Sequence, residues 1–222
     1  MFCAVHTARP GEVEPEEPQR LTEAVARLGL RYVVITSVAR DDLGDEGAGH
    51  FAACVGAIKG QLPEVQVEVL TPDFHARREL IRQVVEAEPE VYNHNLETVP
   101  RLSREVRPQA SYERSLKVLR LAREIGPSGM KTKSGLMVGL GEMPQEVRQA
   151  MVDLRQVGCE LLTIGQYLQP TVAQRKVSEF VHPKQFALYR RWGQELGFTF
   201  VGSAPYVRSS YNAFEALQQK GG

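Results

Sequence analysis

Six apolar runs in this 222-residue chain end in, or carry near their ends, residue types able to do chemistry. "YVVITSV" leads into Thr36, Ser37, Arg40, Asp41 and Asp42, and "VQVEVL" into Thr71, Pro72 and Asp73. "VYNHN" carries Asn93, His94 and Asn95 and is followed by Glu97; "GLMVGL" is followed by Gly141 and Glu142. "LLTIGQYL" holds Gln166 and Tyr167, and "FTFVG" meets Ser203. At any one loop such groups serve a ligand about as often as they merely satisfy backbone. Six together point to one shared site. Asn93, His94 and Asn95 are the sharpest case, because buried amides and imidazoles are costly unless hydrogen-bonded. Gly135, Gly139 and Gly141 in "GLMVGLGE" lack the Lys-Ser/Thr of a phosphate loop and the spacing of a dinucleotide fingerprint. Close approach of backbone to a flat ligand is the other use of such glycines. Lys133 is a candidate Schiff-base amine.

The elements that must position these groups follow from hydrophobic period. Strands are expected at 32–38, 65–70, 91–95, 135–140, 161–168 and 198–202, with helices near 18–28, 48–61, 76–87, 111–125, 144–157 and 183–196. Pro144 and Pro183 mark first helical turns. Alternating units with near-continuous apolar strands imply a parallel sheet covered by helices. Function spread over many strand ends is the habit of a barrel, whereas an open doubly wound sheet gathers it at one switch point. The expected fold is therefore α/β, a barrel or an incomplete one. Trp192 reads as a packing residue, and the charges of "SYERSLKVLRLAREI" as a solvated helix face.

Lys plus Arg and Asp plus Glu each number 27, so no global field argues for nucleic acid or an anionic membrane. No stretch approaches the roughly 20 apolar residues of a membrane span, and the cytoplasm is the expected address. Cys3, Cys54 and Cys159 are an odd number without disulfide spacing, as in a reducing compartment. Cys54 and Cys159 read as small core residues.

"FCAVHTARP", "YVVITSVARDDLGDEGAGHF", "EVLTPDF", "NHNLETVPRL", "TKSGLMVGLGE", "LTIGQYLQPT" and "VRSSYNA" follow one another along the chain. In that order they resemble lipoyl synthase, a radical S-adenosylmethionine family. The resemblance implies a partial (β/α)6 TIM-like barrel of the radical SAM type, one core domain over residues 1–222 with its "RSSY" segment within 203–222. In that family a C-x3-C-x2-C loop ligates a 4Fe-4S cluster, and Cys3 matches the last of the three thiolates. On this expectation the chain starts inside the cluster loop and lacks the first barrel strand, leaving "YVVITSV" as an edge open to association. The resemblance further places Thr36, Ser37, Asn95, Glu97, Gly139 and Gly141 around S-adenosylmethionine. Adenine would lie near Gly139 to Gly141 and the ribose hydroxyls near Glu97. Ser210, in preference to Ser209, matches the serine ligand of a second, sulfur-donating cluster, with Arg208 closing the site.

The activity implied is insertion of two sulfur atoms into an octanoyl chain on a lipoyl carrier domain, that of a 2-oxoacid dehydrogenase or the glycine cleavage H protein. The cofactors implied are two 4Fe-4S clusters and S-adenosylmethionine, with ferredoxin or flavodoxin as electron donor. No side chain is expected to be catalytic, since the radical chemistry belongs to the cofactors. With one matching thiolate the chain alone is expected to be inactive, and the alternative is a noncatalytic remnant that binds S-adenosylmethionine or the carrier. An aldolase-type barrel using Lys133 is a third reading. The chain departs from the family pattern at Ala39, at His75 and Ala76, and at Val172, Ala173 and Gln174.

Overall fold

The computed structural model describes residues 10–210. Six strands alternate with seven α-helices: α1 (Glu17–Leu28), β1 (Tyr32–Thr36), α2 (Ala48–Gln61), β2 (Gln66–Leu70), α3 (Arg78–Val85), β3 (Val91–Asn93), α4 (Pro100–Val106), α5 (Tyr112–Ile125), β4 (Lys131–Val138), α6 (Pro144–Gln156), β5 (Leu161–Gln166), α7 (Pro183–Glu195) and β6 (Phe200–Ser203). The strands form one parallel sheet in the order β1-β2-β3-β4-β5-β6. Among the described residues β1 and β6 each pair on one side only, so the sheet is open.

The helix boundaries follow local chemistry. Pro144 and Pro183 do stand at first turns, and the Glu146 carboxylate accepts the Met143 N–H at 2.7 Å. Ser111 caps α5 by accepting the Arg114 N–H at 3.0 Å. Helix α3 starts later than hydropathy suggests because Phe74–Ala76 form a 3-10 turn whose three residues have positive φ. Strand β4 starts at Lys131, four residues before its apolar run. Its polar members are buried because each is satisfied. Thr132 donates to Gly158 O at 2.9 Å, Ser134 donates to His94 O at 2.9 Å, and Lys133 lies against Glu68. Helix α4 was not anticipated, although Pro100 at its first turn signals it.

Strand register separates two faces. One bears Val33, Ile35, Val67, Val69, Tyr92, Leu136, Val138, Leu162, Ile164 and Val201, and all of these belong to the two main hydrophobic cores. Those cores include residues of every α-helix. Helices on a single face of a parallel sheet are the arrangement of a barrel wall rather than of a doubly wound sheet, which is covered on both sides. The other, inner face carries Tyr32, Glu68, Asn93, Lys133, Gly135, Thr163 and Gly165, above a small apolar cluster of Val91, Leu161 and Phe200. No described helix is long and apolar enough to cross a membrane.

Candidate functional site at the strand ends

The end of β3 sends three consecutive polar side chains to three places, as alternation along a strand requires. Asn93 turns inward and donates to Glu68 Oε1 at 2.7 Å. His94 turns outward, where Nδ1 lies 3.0 Å from Thr71 O and Nε2 lies 3.0 Å from Ser115 Oγ. Burial, reinforced by the nearby Arg107 guanidinium, lowers its pKa to about 4. Asn95 turns inward again, one layer nearer the strand ends, and donates to Glu97 Oε1 at 3.0 Å. Its own Oδ1 is buried and has no hydrogen-bond partner.

Glu97 continues the ladder beyond β3: its N–H donates to Gly135 O at 2.9 Å and its carbonyl accepts the Met137 N–H at 2.8 Å. It does so with φ +66°, a left-handed conformation uncommon outside glycine. Burial raises the pKa of the carboxyl, against the opposing pull of the Arg107 guanidinium and the Asn95 amide.

Asn95 and Glu97 line a cavity of about 290 Å³ together with Gly135, Met137, Thr163, Gly165, Arg208 and Ser209. Two glycines make the room. A Cβ on Gly135 would stand 2.8 Å from Asn95 Oδ1 and 3.1 Å from Thr163 Oγ1, and one on Gly165 would overlap the Val207 carbonyl. Neither has positive φ, so space and not backbone conformation requires glycine there. The result is a polar wall with a free acceptor and a carboxyl opposite bare backbone, which suits a hydroxyl-bearing, flat-ringed ligand.

Thr36 and Ser37 do not share this cavity. They are exposed at the end of β1 and line a larger one of about 580 Å³ with Pro10–Glu14, Arg40, His50, Phe51 and Cys54. Gly139 and Gly141 line neither. Their φ values of +96° and +105° show that the turn after β4 requires glycine. The Cβ direction of Gly139 is filled by the Gln166 amide and the Glu179 carbonyl, while its N–H donates to Glu142 Oε1 at 2.6 Å. Ser210 is exposed just beyond Ser209 at the cavity wall, and Cys3 lies outside the described residues.

Lys133, the Schiff-base candidate, is fully buried with Nζ 2.9 Å from both Glu68 oxygens. Tyr32 donates to the same carboxylate at 2.6 Å, so the amine is committed to an internal ion pair. Cys54 and Cys159 are buried, and burial pushes their thiols up to about 11 and about 12, as inert core residues should be. Asp41, Glu46 and His75 bring potential ligand atoms within 4.8 Å of one another. Glu46 Oε1 already meets both His75 Nδ1 and Arg77 at 2.9 Å, so a guanidinium holds the place a cation would need. Gly135 belongs to the glycine motif read as able to approach a flat ligand, whereas Thr163 and Gly165 are not among the expected binding residues. Their signal was alternation, since each falls on the inward register of a buried strand.

A profile of the radical SAM superfamily matches residues 1–154. Lipoyl synthase of Rubrobacter xylanophilus is 54% identical over 217 residues, covering 98% of this chain and 67% of that protein. Lipoyl synthase of Thermus thermophilus is 55% identical over 214 residues, covering 96% and 66%. The chain thus spans about two thirds of the length of these relatives. Among solved structures, methylornithine synthase PylB superposes with a TM-score of 0.65 at 14% identity, over 95% of this chain and 71% of that one. The HMG-CoA lyase of Brucella melitensis superposes with a TM-score of 0.54 at 13% identity, over 86% and 65%. These two likenesses concern the fold alone.

Proposed function

The chain belongs to the lipoyl synthase family of the radical SAM superfamily, and from that membership we propose that its inner cavity holds the nucleoside part of S-adenosylmethionine during sulfur insertion into a protein-bound octanoyl chain. Membership in the superfamily implies a 4Fe-4S cluster and S-adenosylmethionine. When bound, they supply the electron and the radical that activates an unreactive C–H bond. The second cluster, the carrier domain and the electron donor belong to this proposal, as do Cys3 and Ser210 as metal ligands. Thiolate is the usual ligand of an iron–sulfur cluster, and the raised pKa of the buried Cys54 and Cys159 thiols leaves Cys3 as the cysteine this proposal assigns to it.

One observation carries the reading: Asn95 Oδ1 is a buried acceptor without a partner, beside Glu97, in a cavity floored by glycine. A buried acceptor left unpaired costs stability unless a ligand donates to it. Hydroxyl or amino groups of a nucleoside are suitable donors. Glu97 accepts further hydrogen bonds when ionised, and its left-handed backbone fixes the direction of the carboxyl. Thr163 Oγ1 and the backbone along Gly135 and Gly165 complete a surface that a flat ring can approach closely. Thr36 and Ser37 stand in the larger cavity, and in this proposal they face the cluster end of the cofactor.

The test is anaerobic reconstitution with iron and sulfide of the 222-residue chain and, side by side, of the product of its complete reading frame. Iron content, visible absorption and S-adenosylmethionine binding are then measured for each, with and without Asn95→Ala. For the complete-frame protein, cluster uptake with nucleotide binding weakened about tenfold by Asn95→Ala, the worth of one or two hydrogen bonds, is expected. A complete-frame protein that takes up neither cluster nor nucleotide would overturn the reading.

A further inference from the structure

After β6 the chain does not leave the barrel rim. It folds back as a short strap, residues 204–208, laid over the end of β5. Ala204 N–H donates to Ile164 O at 3.2 Å, Gln166 N–H donates to Pro205 O at 3.2 Å, and Val207 N–H donates to Ala204 O at 3.1 Å. Val207 is 2% exposed, although its neighbours Tyr206 and Arg208 face solvent. Its carbonyl occupies the space where a side chain at Gly165 would begin, and it also accepts from Arg208 NH1 at 2.7 Å. Val207, Arg208 and Ser209 then form one wall of the inner cavity, across from Asn95 and Glu97.

Gly165 has ordinary φ, so any residue could adopt its backbone conformation. Only the strap requires it to be glycine. A Cβ there would meet a backbone carbonyl rather than the end of a flexible side chain, and the strap would have to lift as a unit.

We propose that Gly165 is a positioning residue: it seats the strap on β5 and thereby places Arg208 and Ser209 at the cavity wall, within one residue of Ser210. Its effect on ligand binding rests on the assignment of this cavity to S-adenosylmethionine. The seat itself does not. A lifted strap removes a wall from the cavity without touching the acceptors of Asn95 and Glu97.

The test compares the complete-frame protein with its Gly165→Ala variant, using Gly56→Ala as control, since Gly56 lies on the exposed side of α2 with open space around it. Hydrogen exchange at the amides of Ala204, Gln166 and Val207 is expected to accelerate about tenfold in Gly165→Ala, with the β2 amides unchanged. Trypsin is expected to cleave faster after Arg208. In the reconstituted protein, S-adenosylmethionine binding is expected to weaken about tenfold at unchanged iron content, a split that general unfolding would not produce. Should Gly165→Ala fail to fold, Val207→Ala, which adds no atom to β5, is expected to loosen the same amides. Unchanged exchange at Ala204 and Val207 overturns the seat. Accelerated exchange with undiminished nucleotide affinity overturns its positioning role. Absence of nucleotide binding in the unsubstituted protein overturns the cavity assignment instead, and the exchange result still decides the seat.

Discussion

The inner face of the sheet is filled on one side and hollow on the other. Across β1, β2 and β3 it carries Tyr32, Glu68 and Asn93, which converge with Lys133 of β4 on a single carboxylate. From Gly135 on β4 across β5 it carries glycine, methionine, threonine and glycine, around a cavity walled by Asn95, Glu97, Met137 and the strap. Both regions are polar. In the first, three donors meet one acceptor group and neutralise its charge, so the side chains become one another's solvent. Each region leaves one amide oxygen without a partner, Asn93 Oδ1 in the first and Asn95 Oδ1 in the second, but only Asn95 lines a cavity, beside the Glu97 carboxyl that accepts from its amide. Polarity inside a barrel therefore marks a ligand site only where an unpaired group stands at open space.

The largest expected effect breaks the filled region. Lys133→Met leaves the Glu68 carboxylate buried without its cation and should destabilise the fold by about 3–5 kcal/mol in urea titration. Adding Glu68→Gln, which keeps an acceptor for Tyr32 and Asn93, should restore more than half of that loss. If the double variant is no more stable than the single one, the ion pair is not what holds this region together.

His94 gives the next largest effect, and it is a pH effect. Its folded pKa of about 4 lies below the ordinary value of 6.5, so the unfolded chain binds a proton first. The stability it contributes is fully present above about pH 6.5 and declines as the pH falls toward 4. The loss is about 3 kcal/mol, from 1.36 kcal/mol per pKa unit. Urea midpoints at pH 7 and pH 4.5 should show the decline, and His94→Gln should flatten it while lowering stability at pH 7. An equal slope in the variant would assign the acid sensitivity elsewhere.

The filled and hollow regions were unequally legible in the sequence. Strand and helix order could be read because apolar period survives in most long helices while α2, which lacks it, is apolar on nearly every side, and the barrel habit because polar residues gather at the strand ends. The start of β4 was hidden, since "KTKS" is buried only by partners distant in sequence: Glu68 for Lys133, and the Gly158 carbonyl for Thr132. Glu68, a lone charge within "VQVEVL", was the available clue to that pairing. At the site, Asn95 and Glu97 stood out by residue type and do meet at one cavity. The glycines were harder. Gly135, Gly139 and Gly141 stand out as one motif, yet the turn demands the last two, and it is Gly135, with Gly165 from outside the motif, that shapes the cavity. What separates the two pairs is φ, which sequence does not display.

Filling the hollow region should cost less than emptying the filled one. Gly135→Ala places a methyl 2.8 Å from Asn95 Oδ1 and 3.1 Å from Thr163 Oγ1. Both neighbours are side chains and the Asn95 amide has a cavity to swing into, so the cost should be about 1 kcal/mol, the low end for overpacking. Nucleotide binding to the reconstituted protein should fall about tenfold, because the displaced amide no longer presents its acceptor. Unchanged binding by calorimetry would remove this cavity from the cofactor site.

The smallest effect has the opposite sign and separates the two regions most cleanly. Glu97 holds a left-handed backbone at φ +66° and a buried carboxyl whose charge is unfavourable there. Its two backbone bonds to β4 need no side chain. Glu97→Gly keeps those bonds, relieves a conformation that costs other residues about 1 kcal/mol, and removes the buried acid. Thermal melting should rise by about 2–4 °C while nucleotide binding weakens. Glu97→Ala retains the strained φ and should lose binding without that gain. A residue kept for the fold would behave as Lys133 does and destabilise on removal; one kept for a ligand leaves the empty protein better off without it.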